Sequence, residues 1–150
     1  MTHLPVDVFT RDQGDMPTSQ YSFDSVPLIE DDMVATGGDL SPGTLISAYS
    51  NGLFPMPMRR RTLGWFCPVM RGVIPLDGHH VSRSLAKSMK RFTYSVDTAF
   101  TEVMRACGDP RREHGWINDE FIDAYTRLHR MGWAHSVEVW SDGRLVGGVY

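Results

Sequence analysis

The sequence predicts an α+β chain, helix-rich at the front and then alternating strand and helix before it closes on a β-hairpin. Three observations predict this. Residues 133–150 follow the two-residue period of strands around a tight turn: His135, Val137 and Val139 fall on one side, Ser136, Glu138 and Trp140 on the other. Asp142-Gly143 between them suits the positive φ angles of a type I′ turn. Helix starts are marked by the capping residues Ser41 (with Pro42), Ser82 and Asn118, the first and last of them ahead of an apolar face. A chain of 150 residues, 41% hydrophobic and 22% charged, is long enough for one core or one core with an appendage.

In chain order, the stretch up to about Pro27 is polar, contains Gly14 and Pro17 and lacks periodicity. A loose arm is expected there, with order beginning near Val26. Gly37-Gly38-Asp39-Leu40 turns the chain into a helix capped by Ser41, started by Pro42 and closed by Gly52, with Leu45, Ile46, Ala48 and Tyr49 on its apolar face. A glycine pair before a helix could cradle a phosphate, but Asp39 would repel an anion and no Gly-x-x-x-x-Gly-Lys pattern is present, so capping explains it. Residues 53–71 read as a loop. Their prolines and aromatics form a hydrophobic plug between two domains, rimmed by Arg59, Arg60, Arg61 and Arg71; stacking on bases is the rival reading.

Residues 72–76 are expected as a short strand, and Ser82 as the cap of a helix reaching about Arg91. A strand at 92–96 follows, then a helix capped by Asp97 and ended by Gly108-Asp109-Pro110. Gly115-Trp116-Ile117 leads into a helix capped by Asn118, with Phe121, Ile122, Tyr125 and Leu128 on its apolar face and Gly132 at its end. In the closing hairpin Gly147-Gly148 marks either a bulge or a place where another backbone or a ligand comes close, and the bulge is the plainer reading.

The net charge of −3 is unevenly distributed. Residues 1–58 carry eight acids and one base (−7), 59–112 eleven bases and four acids (+7), and 113–150 six acids and three bases (−3). On the helix after Ser82, Arg83, Lys87, Lys90 and Arg91 fall at i, i+4, i+7 and i+8, one face without acidic partners. An anion beside that face would relieve its self-repulsion, and a solvated face is the alternative reading. Cys67 and Cys107 form neither a disulfide framework nor a Cys-x-x-Cys pair. His79, His80, His114, His129 and His135 never reach the i, i+4 spacing of helical metal ligands, and no hydrolase or metalloprotease motif occurs. No metal or cofactor is expected. No apolar run approaches the ~20 residues of a membrane span and no signal peptide is evident, so a cytoplasmic protein is expected.

Several runs together resemble the leucyl/phenylalanyl-tRNA–protein transferase family: Ala35-Thr-Gly-Gly-Asp-Leu-Ser-Pro42, Ala48-Tyr-Ser-Asn-Gly-Leu-Phe-Pro55, His80-Val-Ser-Arg-Ser84, Gly115-Trp-Ile117, Ala124-Tyr125, Leu128-His129, Ala134-His-Ser-Val-Glu-Val-Trp140 and Leu145-Val-Gly-Gly148. The resemblance implies a small N-terminal domain with its arm and linker (1–71), followed by the first part of a GNAT-like acyltransferase domain (72–150). It implies transfer of Leu, Phe or Met from aminoacyl-tRNA to proteins beginning with Arg or Lys, which marks them for degradation by the N-end rule. Trp116, Tyr49, Tyr125 and Met56 would bind the aminoacyl-adenosine, and Arg83, Lys87, Lys90 and Arg91 the tRNA phosphates. The family's catalytic residues are expected beyond Tyr150, and the full-length protein is expected to be a monomer.

The chain departs from the family in two runs. Phe54-Pro55-Met56 stands where many relatives have Phe-Pro-Trp, and Trp65-Phe-Cys-Pro-Val-Met-Arg71 where they have Trp-Trp-Ser-Pro-Asp-Pro-Arg. A methionine covers an adenine face by dispersion with less directionality than an indole. Two rival readings remain, a truncated tRNA- or partner-binding module without catalysis and a GNAT-like acetyltransferase using acetyl-coenzyme A. The 150-residue chain alone is expected to be inactive in leucine transfer, and to associate through the edge of its last strand.

Overall fold

The computed structural model describes residues 14–24, 32–112 and 115–150, and in these the chain builds two three-stranded antiparallel sheets and four helices. Val26, Pro27 and His114 lie outside them. The first sheet has the order β1 (Met33–Thr36), β3 (Leu63–Phe66), β2 (Phe54–Pro57). Residues 53–71 are therefore not the expected loop. β2 tolerates Pro55 and Pro57 because it is an edge strand bonded only to β3, where alternate N–H groups need no partner. Opposed residues share a face, so Pro55 and Trp65 point into the core, while Phe54, Met56, Gly64 and Phe66 lie on the other side.

Arg59–Arg61 form an exposed 3₁₀ turn between β2 and β3. Arg71 is not part of a free basic rim, since its guanidinium donates to the Gly52 and Pro68 carbonyls and pins the linker to the end of the first helix. That helix, α1 (Pro42–Ser50), begins and ends as its sequence requires: the Ser41 hydroxyl accepts from the Thr44 N–H, and Gly52 takes φ 78°. Part of the expected arm is packed. Phe23 is buried with its ring 4.9 Å from Trp65, and the Thr18 carbonyl lies so close to Gly43 that a Cβ there would be only 2.0 Å away.

Residues 72–76 form no strand. They are exposed, contain Pro75 and have no neighbouring strand among the described residues to complete a ladder. α2 (Arg83–Met89) ends two residues earlier than expected and starts at Ser82, whose hydroxyl accepts from the Leu85 N–H. The second sheet has the order β4 (Thr93–Val96), β5 (Val137–Ser141), β6 (Arg144–Val149), with the turn residues Asp142 and Gly143 at φ 50° and 73°. The bulge falls at Val146, between the pairs Val139–Gly147 and Trp140–Leu145, and not on the glycines. Gly148 meets the close approach: a Cβ there would sit 2.8 Å from a Val103 methyl.

α3 (Phe100–Cys107) lacks the cap assigned to Asp97; its N-cap residue is Ala99, which has no capping side chain. Asp97 instead adopts a left-handed φ of 58°, and its carboxylate binds His135 and Ser136 just ahead of β5. α4 (Asp119–Arg130) is capped by Asn118 and buries Phe121, Ala124, Tyr125, Leu128 and His129. One apolar cluster runs from Trp65 and Leu45 to Phe100 and Phe121, so the first sheet and the α3–α4 pair share a core.

Candidate functional site

Tyr49 is on the last turn of α1 and Tyr125 is in the middle of α4, 76 residues later in sequence. Their hydroxyls are 2.6 Å apart and their rings meet edge to face, with centroids separated by 6.3 Å. Tyr125 is buried and Tyr49 is 49% exposed, so the pair runs from the core to the surface. Burial pushes both phenols above their ordinary value, and each stays protonated at neutral pH. Trp116, just before α4, packs edge-on against Phe121 at 5.2 Å, and Phe121 stacks on Tyr125 at 6.3 Å. The fold thus joins three of the four residues expected at the aminoacyl-adenosine through Phe121, an aromatic that the helical periodicity marked only as core.

Met56 is on a different element, the edge strand of the first sheet. It lies on β2 opposite Gly64, on the face that carries the stacked Phe54 and Phe66 rings. Among the described residues no hydrogen bond or ring contact joins it to Tyr49, Tyr125 or Trp116. Arg83, Lys87, Lys90 and Arg91 are all exposed on or just after α2, a helix that buries none of its residues. No ion pair among the described residues engages them; the Arg91 guanidinium lies 5.9 Å from the centre of the Phe92 ring.

Sequence reasoning assigned no role to Glu138, and to Asp97 only the helix cap it does not make; both carboxylates instead tie the start of α3 to β5 and the residues just before it. Glu138 is fully buried, and its oxygens accept from the hydroxyls of Ser95, Ser136 and Thr98 and from the Ala99 N–H. The Trp140 indole N–H in turn donates to the Ser95 hydroxyl at 2.8 Å. Burial alone would raise the Glu138 pKa, but these donors outweigh it and hold the carboxyl below its ordinary value. Asp97 accepts from the Ser136 N–H at 2.9 Å and from His135 Nδ1–H at 2.7 Å, with His129 Nδ1 3.6 Å away. Burial again opposes ionisation, and the histidines and the backbone N–H again win, so its pKa is also lowered. The signal was legible in part: Glu138 sits between Ser136 and Trp140 on the polar side of the hairpin alternation.

A cleft of about 340 Å³ separates α3 from β6, lined by Val103, Ala106, Cys107, Leu145, Gly147 and Arg112 among others, and none of the expected site residues borders it. Among the described residues, no group of three His, Cys, Asp or Glu is placed to hold a metal ion. No helix there is long and apolar enough to cross a membrane.

Two family models match this chain. The leucyl/phenylalanyl-tRNA protein transferase model covers residues 73–150, and the model of that family's N-terminal domain covers residues 38–69. Among curated relatives, the leucyl/phenylalanyl-tRNA–protein transferase of Sulfurimonas denitrificans is 50% identical over 124 residues, which cover 81% of this chain and 54% of the relative. The protein of the same name from Tolumonas auensis is 47% identical over 122 residues, covering 79% and 52%. That of Psychrobacter arcticus is 40% identical over 160 aligned positions, covering 99% and 59%. The chain spans about half the length of the curated relatives it matches.

Proposed function

The chain belongs to the leucyl/phenylalanyl-tRNA protein transferase family, and from that premise we propose that it supplies the tRNA-end and aminoacyl-adenosine binding surfaces of an aminoacyl-tRNA–protein transferase. The observation that carries this reading is the aromatic cluster of Tyr49, Tyr125 and Trp116, which opens to solvent at Tyr49. Such rings can stack on a terminal adenosine, each base stack being worth ~1–3 kcal/mol. The exposed cations of α2 suit the phosphates of an acceptor stem, and Met56 would cover the base from the first sheet. The matched ranges 38–69 and 73–150 support a division near residue 71 into an N-terminal unit and the start of a GNAT-like domain.

In the proposed reaction the α-amine of an acceptor protein beginning with Arg or Lys attacks the ester carbonyl linking Leu, Phe or Met to its tRNA. The new amide bond forms, the ester C–O bond breaks, and the 3′-terminal ribose hydroxyl leaves with the proton the amine gives up. The reaction needs the amine and ester aligned, a proton acceptor and support for the oxyanion. The aromatic and basic residues named above would serve the ester half of the first need, by holding the aminoacyl end of the tRNA in place. The product would be marked for degradation, in the cytoplasm.

Gel-shift titration tests the reading. Leu-tRNA should bind more tightly than uncharged tRNA, and calorimetry with coenzyme A should give no heat. Trp116→Ala should weaken a leucyl-adenosine amide analogue by roughly 1–3 kcal/mol while leaving binding of the acceptor stem largely intact. Equal affinity for charged and uncharged tRNA, or saturable coenzyme A binding, would overturn it.

A further inference from the structure

Tyr150 follows β6, the strand farthest in sequence from Tyr49, yet its ring reaches the same cluster. It meets Tyr125 edge to face at 5.8 Å and 79°, and Phe100 at 6.2 Å and 71°. On another side, Tyr125 is stacked by Phe121 at 6.3 Å and 17°. Tyr125 is therefore clamped between a ring from its own helix and a ring from the hairpin, and its hydroxyl is held 2.6 Å from that of Tyr49. We propose that Tyr150 is a positioning residue of the aminoacyl-adenosine pocket, fixing the Tyr125 ring so that its hydroxyl orients the half-exposed Tyr49 phenol. The pocket's role rests on the transferase reading above; the clamp itself does not.

Two phenols joined by one hydrogen bond use one of their two protons, and the other can be donated to an oxygen of a bound aminoacyl-adenosine. Burial pushes the Tyr150 phenol up to about 12, and those of Tyr49 and Tyr125 are raised as well, so all three keep their protons at neutral pH. Edge-to-face contact acts through the ring and not the hydroxyl, and therefore Tyr150→Phe should preserve the clamp while Tyr150→Leu removes it.

The experiment uses the 150-residue chain and two readouts. In ¹H NMR, the hydrogen-bonded phenolic proton of the Tyr49–Tyr125 pair should appear downfield in the wild type and in Tyr150→Phe. It should be absent in Tyr125→Phe and Tyr150→Leu. For a leucyl-adenosine amide analogue, Tyr150→Leu should bind roughly three- to tenfold more weakly, Tyr150→Phe like wild type, and Tyr150→Leu should add nothing in a Tyr125→Phe background. Persistence of the proton in Tyr150→Leu, its loss in Tyr150→Phe, or additive effects of the two substitutions would overturn the proposal. If no form binds the analogue but the proton behaves as expected, the clamp stands and the transferase reading falls.

Discussion

Glu138 stays ionised in the core because four donors converge on it, and the same donors make it difficult to replace. In Glu138→Gln the amide NH₂ would face hydroxyls and an N–H that themselves need acceptors, and stability at pH 7 should drop by about 2–3 kcal/mol in urea titrations. The pH dependence follows from the sign of the shifts. Glu138 and Asp97 are held below their ordinary values of 4.5 and 3.8, so their contribution is complete above those values and is lost as pH falls through the lower folded-state values. The gap between wild type and Glu138→Gln should accordingly close as pH drops below about 4.5, and a gap that is constant from pH 7 to 3 would contradict this. Alternation along the hairpin marked Ser136, Glu138 and Trp140 as one face without saying which face is inward. The burial of Ser136 and Glu138 beneath α3 depends on hydroxyls from residues about 40 positions earlier.

At the level of elements, α2 separates charge from stability. Because its cations are exposed and the helix buries nothing, Lys87→Glu with Arg91→Glu should leave the urea midpoint almost unchanged. The pair should weaken binding similarly across tRNA sequences and reduce the salt slope of log K by about two, since each lost phosphate contact removes roughly one released counterion. An unchanged slope would remove α2 from the interface. The α3–β6 contact gives a second prediction: in Gly148→Ala the new methyl would collide with Val103 and approach the Val137 carbonyl at 3.1 Å, costing about 1–3 kcal/mol. Val103→Ala should recover part of that loss, which a double-mutant cycle by thermal melting would detect.

On the scale of the whole molecule, β6 pairs only with β5 among the described residues and leaves Val146 and Val149 exposed, so its outer edge can accept another strand. Light scattering on the chain alone should find concentration-dependent association, reduced by placing lysine at both valines; a monomer at all concentrations would count against the edge. The sequence by itself determined the helix starts at Ser41, Ser82 and Asn118, the Asp142-Gly143 turn and the family, because caps, turns and short motifs act over a few neighbouring residues. Strand pairing over 53–71, the lack of a strand at 72–76, the displacement of Asp97 from its expected cap and the convergence of Tyr49, Tyr125 and Tyr150 were decided by the tertiary structure. Each depends on partners tens of residues away: a proline pair is acceptable only on a strand with an open edge, an apolar run becomes a strand only beside another, and a carboxylate caps a helix only if no histidine or backbone N–H competes for it.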